Sequence, residues 1–212
     1  MNTANKKLLP YRSYTENDVI NEFSLDTTGD YGMFVKVSVG DLDAAHGEVA
    51  DNFGASFDRV ASPYWGVKNK ITPVASGDTK YDVLGVTLYS TLMTDENGEQ
   101  TKFNLQKAQE LFAVISGQAV PVIGKGVFDF GPEGYTVTGG TPNAQGTDSV
   151  QANIGDRVVA SNLVAGKIDI VPSSAIVASP VLLTQYGSNQ VLGSVIATGN
   201  AFGGMIRAKL DI

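Results

Sequence analysis

Few residues of this chain could do chemistry. Its single histidine, His46, sits in the acidic stretch Asp41-Leu42-Asp43-Ala44-Ala45-His46-Gly47-Glu48. A Ser/His/Asp relay needs its serine presented on a sharp turn, and no Gly-x-Ser-x-Gly elbow accompanies this histidine. The same stretch, with Asp51, has the oxygen density of a calcium loop. An EF-hand, however, needs an oxygen ligand at its fifth position and glycine at its sixth, where Ala45 and His46 stand. Only a looser carboxylate site is left open. Gly124-Lys125-Gly126 lacks the spacing of a phosphate-cradling loop, because no Ser or Thr follows Lys125. A distant pair of carboxylates for glycoside hydrolysis is not singled out by the sequence. These residues point away from an enzyme, and toward a chain with no catalytic residue, no metal site and no cofactor.

Composition narrows the classes further. The chain has 212 residues, 42% hydrophobic and only 17% charged, against about 25% charged in an ordinary soluble domain. With no cysteine, disulfides, thiolate metal sites and cysteine nucleophiles are excluded together. A net charge of -7 opposes a broad phosphate-binding surface, so nucleic acid is not the expected partner. No apolar run reaches the roughly 18 residues of a membrane-spanning helix. Pro10 interrupts the apolar run that a leader peptide would need after Lys6 and Lys7. Twenty-four glycines punctuate the chain and imply short strands joined by many turns.

The fold these elements predict is mainly β, as short-strand barrel or sandwich-like units. Met33–Val39 reads as a half-buried strand: alternation from Val35 onward places Val35, Val37 and Val39 on one face and Lys36 and Ser38 on the other. Strands are also expected at 70–75, 81–92, 118–123 and 126–130, with Asn97-Gly98 turning a hairpin back through 100–103, and 154–162 reads as a turn, a strand and a turn. One amphipathic helix is predicted over 104–116. Asn104 would cap it, Gly117 would end it, and Leu105, Ala108, Leu111, Phe112 and Ile115 would form its apolar stripe. Residues 131–153 read as a long loop or protruding hairpin.

Two series of short apolar runs suggest an internal duplication. Lys167-Ile168-Asp169-Ile170-Val171-Pro172, Val191-Leu192-Gly193-Ser194-Val195-Ile196 and Gly204–Leu210 form one. Lys70-Ile71-Thr72-Pro73-Val74, Val83-Leu84-Gly85-Val86-Thr87-Leu88 and Glu99–Phe103 form the other. The chain then divides into an extended N-terminal arm (1–14), a first β unit plus helix (15–117) and a second β unit (118–212). Whether the two units pack as one domain stays open.

The run Gly155-Asp156-Arg157-Val158, Gly166-Lys167-Ile168, Val191-Leu192-Gly193-Ser194-Val195-Ile196-Ala197 and Gly204-Met205-Ile206-Arg207-Ala208-Lys209-Leu210 resembles phage head decoration, or cement, proteins. The resemblance covers about the last sixty residues and, more loosely, 70–103. It implies a virion structural protein on the capsid surface, bound to the major capsid protein and strengthening contacts between its subunits. It also implies a homo-oligomer, with a trimer favoured. A receptor- or glycan-binding knob, with 131–153 and Tyr64-Trp65 as contact loops, is the alternative, as is another shell or tail-adaptor protein. In the binding reading the anchors are Tyr11, Arg12 and Tyr14 of the arm and Tyr64 and Trp65 of the long segment, because buried aromatics and arginines dominate interface energetics. The competing reading makes the arm a frayed terminus and Tyr64 and Trp65 a cap on the core.

Overall fold

The computed structural model describes residues 7–25, 31–39, 69–75, 78–91, 106, 111, 113–114, 119–137, 152–161, 164–172, 191–199 and 204–212. Of these, 58% lie in strands and 4% are helical, so the chain is mainly β as its turn-rich sequence implies. Strand β1 spans Leu8–Ser13; a 3-10 turn at Glu16–Asp18 leads into β2 (Val19–Ile20). Next come β3 (Phe34–Val39), β4 (Lys70–Pro73), β5 (Val83–Thr87), β6 (Ser90–Thr91) and β7 (Ala113–Val114). Then follow β8 (Val122–Ile123), β9 (Lys125–Phe130), β10 (Tyr135–Val137) and β11 (Arg157–Ala160). Strands β12 (Ile168–Val171), β13 (Val191–Gly199) and β14 (Met205–Asp211) complete the set.

The strands form a curled seven-stranded sheet, β1-β9-β14-β13-β11-β12-β10, and a five-stranded sheet, β2-β8-β5-β3-β4. A two-stranded parallel ladder joins β6 to β7. One core lies between the larger sheets: Phe34, Val86 and Ile123 from one meet Leu8, Phe128, Phe130, Ile168, Ile170 and Leu192 from the other. The rings of Phe34 and Phe130 stand 5.8 Å apart and tilted, a favourable aromatic pairing. A second cluster, with Leu25, Val35, Ile71 and Val122, covers the other face of the five-stranded sheet.

The expected duplication is written in the hydrogen-bond register. Numbered by chain order within each set, both sheets run first–fifth–fourth–second–third, as β2-β8-β5-β3-β4 and β9-β14-β13-β11-β12. Val35 faces Pro73 and Gly85; Val158 faces Ile170 and Gly193. One residue on, each central strand slips past a leucine, so that Lys36 meets Val83 and Val159 meets Val191. The Val-Leu-Gly triplets are thus the same β-bulge made twice, a device that bends a strand and increases its twist. The entry turns match as well. Gly32 (φ 84°) and Gly155 (φ 91°) both take the left-handed backbone that glycine adopts without a Cβ penalty. The Gly32 amide donates to the Thr87 carbonyl (2.7 Å) and the Gly155 amide to the Val195 carbonyl (2.8 Å). The amides of Thr87 and Val195 donate back to Met33 and Asp156 (2.9 Å each). Ser24 bridges Lys70 in parallel, as β10 pairs in parallel with β12.

Three expectations need correction. Helix 104–116 is not supported: Ala113–Val114 is strand β7, paired with β6, and only Gln106 is helical among the described residues of that stretch. Ala113 is buried in the β6–β7 ladder, where tertiary pairing overrides helical propensity. The counterpart of β14 is β8, not 99–103, which lies outside the described residues together with the Asn97-Gly98 turn. Val122–Ile123 therefore completes the first sheet, and the first unit runs past residue 118. Finally, Val37 is 41% exposed although Val35 is buried, because β3 runs beyond the core while keeping its alternation.

Candidate interaction surface

The stretch expected to be an arm is extended, but from Leu8 to Ser13 it lies on its own chain. Strand β1 pairs antiparallel with β9, setting Arg12 opposite Phe128 and Ser13 opposite Val127, with a bulge between Leu8 and Arg12. Leu8 is fully buried in the core between the sheets. A terminus that places a leucine there is a structural strand.

Its three predicted anchors go to different places. Tyr11 is exposed and lies over the Arg207 guanidinium, whose carbon is 3.9 Å from the ring centroid, within cation–π range. Arg207 in turn grips Asp129 with two parallel bonds, Nε to Oδ1 at 2.6 Å and Nη2 to Oδ2 at 2.9 Å. The two face each other directly in the β14–β9 register. The bonds to Asp129 raise the Arg207 pKa above the ordinary arginine value. The result is a Tyr11–Arg207–Asp129 stack across the outer face of β1, β14 and β9.

Arg12 points the other way. Its Nη1 donates to the Leu88 carbonyl (3.1 Å), and its guanidinium lies 5.5 Å from the Tyr31 ring centroid. Burial pushes its pKa down. Arg12 therefore clamps β1 to the first unit. Tyr14, partly exposed, stacks on Phe128 at 6.0 Å with the rings 19° apart. Tyr64 and Trp65 lie outside the described residues, as do His46 and the acidic stretch around it. The described residues hold no group of three or more His, Cys, Asp or Glu suited to a metal ion.

Arg207 and Asp129 were not among the predicted residues. The alternation in Met205–Leu210 would have put Arg207 on the outward face, but its partner is set by a register linking distant parts of the chain.

A polar cleft of about 440 Å³ lies at the edge of the first unit, lined by Lys36, Asp78, Tyr81 and Asp82 among others. Lys36 Nζ is 2.8 Å from Asp78 Oδ1, and Asp78 Oδ2 accepts from the Ala75 amide at 2.8 Å. Asp82 Oδ2 accepts from both the amide and the hydroxyl of Thr79, at 2.8 Å each. These bonds, the backbone one foremost, hold the Asp82 pKa below the usual aspartate value. A lowered folded-state pKa means the turn's contribution is present above the unfolded value and is lost as pH falls through the folded one. The carboxyl carbon of Asp82 is expected to titrate below that of an aspartate in a short peptide, and Thr79→Val to raise it part of the way. An unmoved titration in that variant would remove the hydroxyl bond as a cause.

No helix among the described residues is long and apolar enough to cross a membrane. No protein-family model matches the chain, and no curated protein matches it.

Proposed function

We propose that the chain is a capsid cement protein, a homo-oligomer that sits on the outside of a phage head and ties major capsid subunits together. The observation that carries this reading is where the four stretches resembling decoration proteins fall. Gly155–Val158, Gly166–Ile168, Val191–Ala197 and Gly204–Leu210 belong to β11, β12, β13 and β14 or to the turns beside them, and these strands are contiguous in one sheet. The resemblance thus follows one structural unit instead of scattered residues. A β body with cores on both faces of one sheet and a charged, aromatic outer stack suits a protein that holds surfaces together. On this reading Tyr11 is an exposed interface residue, whereas Arg12 keeps the body rigid.

The test is to mix the purified protein with empty heads stripped of their decoration and image them. Occupancy at defined symmetry positions, with release of the shell proteins shifted to higher temperature, is the expected result. Heads of unchanged stability and without added density would overturn the reading, and saturable binding to a glycan array instead would favour a receptor-binding knob. Tyr11→Ala is expected to lower head occupancy while leaving the circular dichroism spectrum unchanged, since its ring lies outside the core.

A further inference from the structure

The two matched units differ at one edge. In the second, β9 is paired on both sides, by β14 and by β1. In the first, the counterpart of β9 is β2: Val19 faces Ile123 as Val127 faces Lys209. Strand β2 pairs with β8 on one side, and among the described residues no strand pairs with its other side. The position that β1 fills in one sheet is therefore an edge in the other. An edge strand presents amides and carbonyls along its length and is a template for an added strand.

Two features of the surroundings say what would fit. An open groove of about 620 Å³ reaches β2, where Tyr14, Glu16, Val19 and Asn21 line it, and continues inward on the β8 side to Leu88 and Pro121. At the edge itself it offers a visiting strand the apolar Val19 and Tyr14 beside the carboxylate of Glu16. The exposed side chains at either end of β2 include Glu16, Asp18 and Glu22 and no lysine or arginine from 15 to 22. This is charge complementarity for a basic segment. Strand β1 itself has the matching make-up, with Leu8, Leu9 and Tyr11 flanked by Lys6, Lys7 and Arg12.

We propose that the outer edge of β2 is a docking site for a basic, extended segment of another protein, added antiparallel as β1 is added to β9. The donor is a different protein because each copy already uses its own β1 on β9. The site does not depend on the cement reading and would serve any partner with such a segment.

The test uses the full chain and a capped synthetic peptide of the sequence of residues 6–14 as a probe for the donor. Hydrogen exchange is followed at Val19–Glu22 and at β9. The expected result is fast exchange at β2 in the isolated protein, slowed by saturating peptide, with β9 unaffected. The Glu16→Lys/Glu22→Lys double variant should bind about tenfold more weakly, and a peptide with Glu in place of its Lys and Arg should recover that loss. Circular dichroism shows whether the double variant is folded, and the charge-swapped peptide on wild-type protein gives the same information without mutation. Slow exchange at β2 in the free monomer would overturn the proposal, since the chain's own residues would then cover the edge. Protection appearing only with concentration-dependent dimerisation, peptide exchange into β9, or no binding would overturn it equally.

Discussion

Replacing Gly193 with alanine is expected to cost at least about 3 kcal/mol, enough to leave a marginal fold largely unfolded. A Cβ on Gly193 would meet the backbone carbonyl oxygen of Lys209, on the neighbouring β14, far inside the 3.0 Å that real Cβ atoms respect. Neither partner is the flexible end of a side chain, so relief requires moving one strand off the other. Strands β13 and β14 are central to the larger sheet, and such movement disrupts both ladders at once. The duplicated unit supplies a second trial. A Cβ on Gly85 would strike the Ile123 carbonyl on β8, the counterpart of β14, so Gly85→Ala should fail in the same way. Gly155→Ala is the contrast: it has a positive φ but nothing within 4 Å of its Cβ. Only backbone strain of about 1–2 kcal/mol applies there. Urea midpoints of the three variants test the argument, and a Gly193→Ala midpoint equal to that of Gly155→Ala would sink it.

Deleting residues 1–13 separates a structural strand from a docking arm. If the segment only reached across to neighbours, its loss would spare the fold and weaken binding alone. The structure predicts the opposite. The deletion removes the fully buried Leu8 and the nearly buried Leu9, each large-to-small loss of this kind costing about 2–5 kcal/mol. It also takes away the Arg12 bond to the Leu88 carbonyl and bares the edge of β9. The truncated chain should unfold cooperatively at lower denaturant and self-associate through the uncovered edge. A truncated protein that kept the full-length midpoint and stayed monomeric would restore the arm. The milder Arg12→Met should fall between, because it leaves the Leu88 carbonyl unsatisfied but keeps the strand.

Much of the fold was legible where backbone geometry forces residue choice. The Val-Leu-Gly triplets stood out because a bulge pressed against the adjacent strand admits only glycine at its third position. Lys70-Ile71 and Lys167-Ile168 were likewise visible as strand starts, and they occupy equivalent register positions. What failed was partner assignment. The two residues of β8 carry no motif, so the sequence points instead to 99–103 for the third strand of the first series. The helical spacing around Leu111 likewise gave no sign that Ala113 and Val114 pair with β6, because a distant ladder partner leaves no trace in local periodicity. Alternation correctly set Val35 and Val37 on one face but could not say where the covering layer ends. The Arg207–Asp129 pair was invisible for the same reason, since only the β14–β9 register brings the two together. The sequence did not separate Tyr11 from Arg12: that the first is exposed and the second reaches the Leu88 carbonyl follows from how β1 is set against β9.

The pairing of Leu8 with Phe130 has a consequence for how the molecule is built in time. Strand β1 is synthesised early, yet its partner β9 and the neighbouring β14 are made only after the whole first unit. Joining regions so far apart in sequence carries a large loop-closure cost and is slow compared with hairpin formation. During that wait β1 lacks its partner strand, while β2 offers an edge that, among the described residues, no strand covers. Transient capture of one by the other would be a folding trap, and release from it would set the pace of maturation.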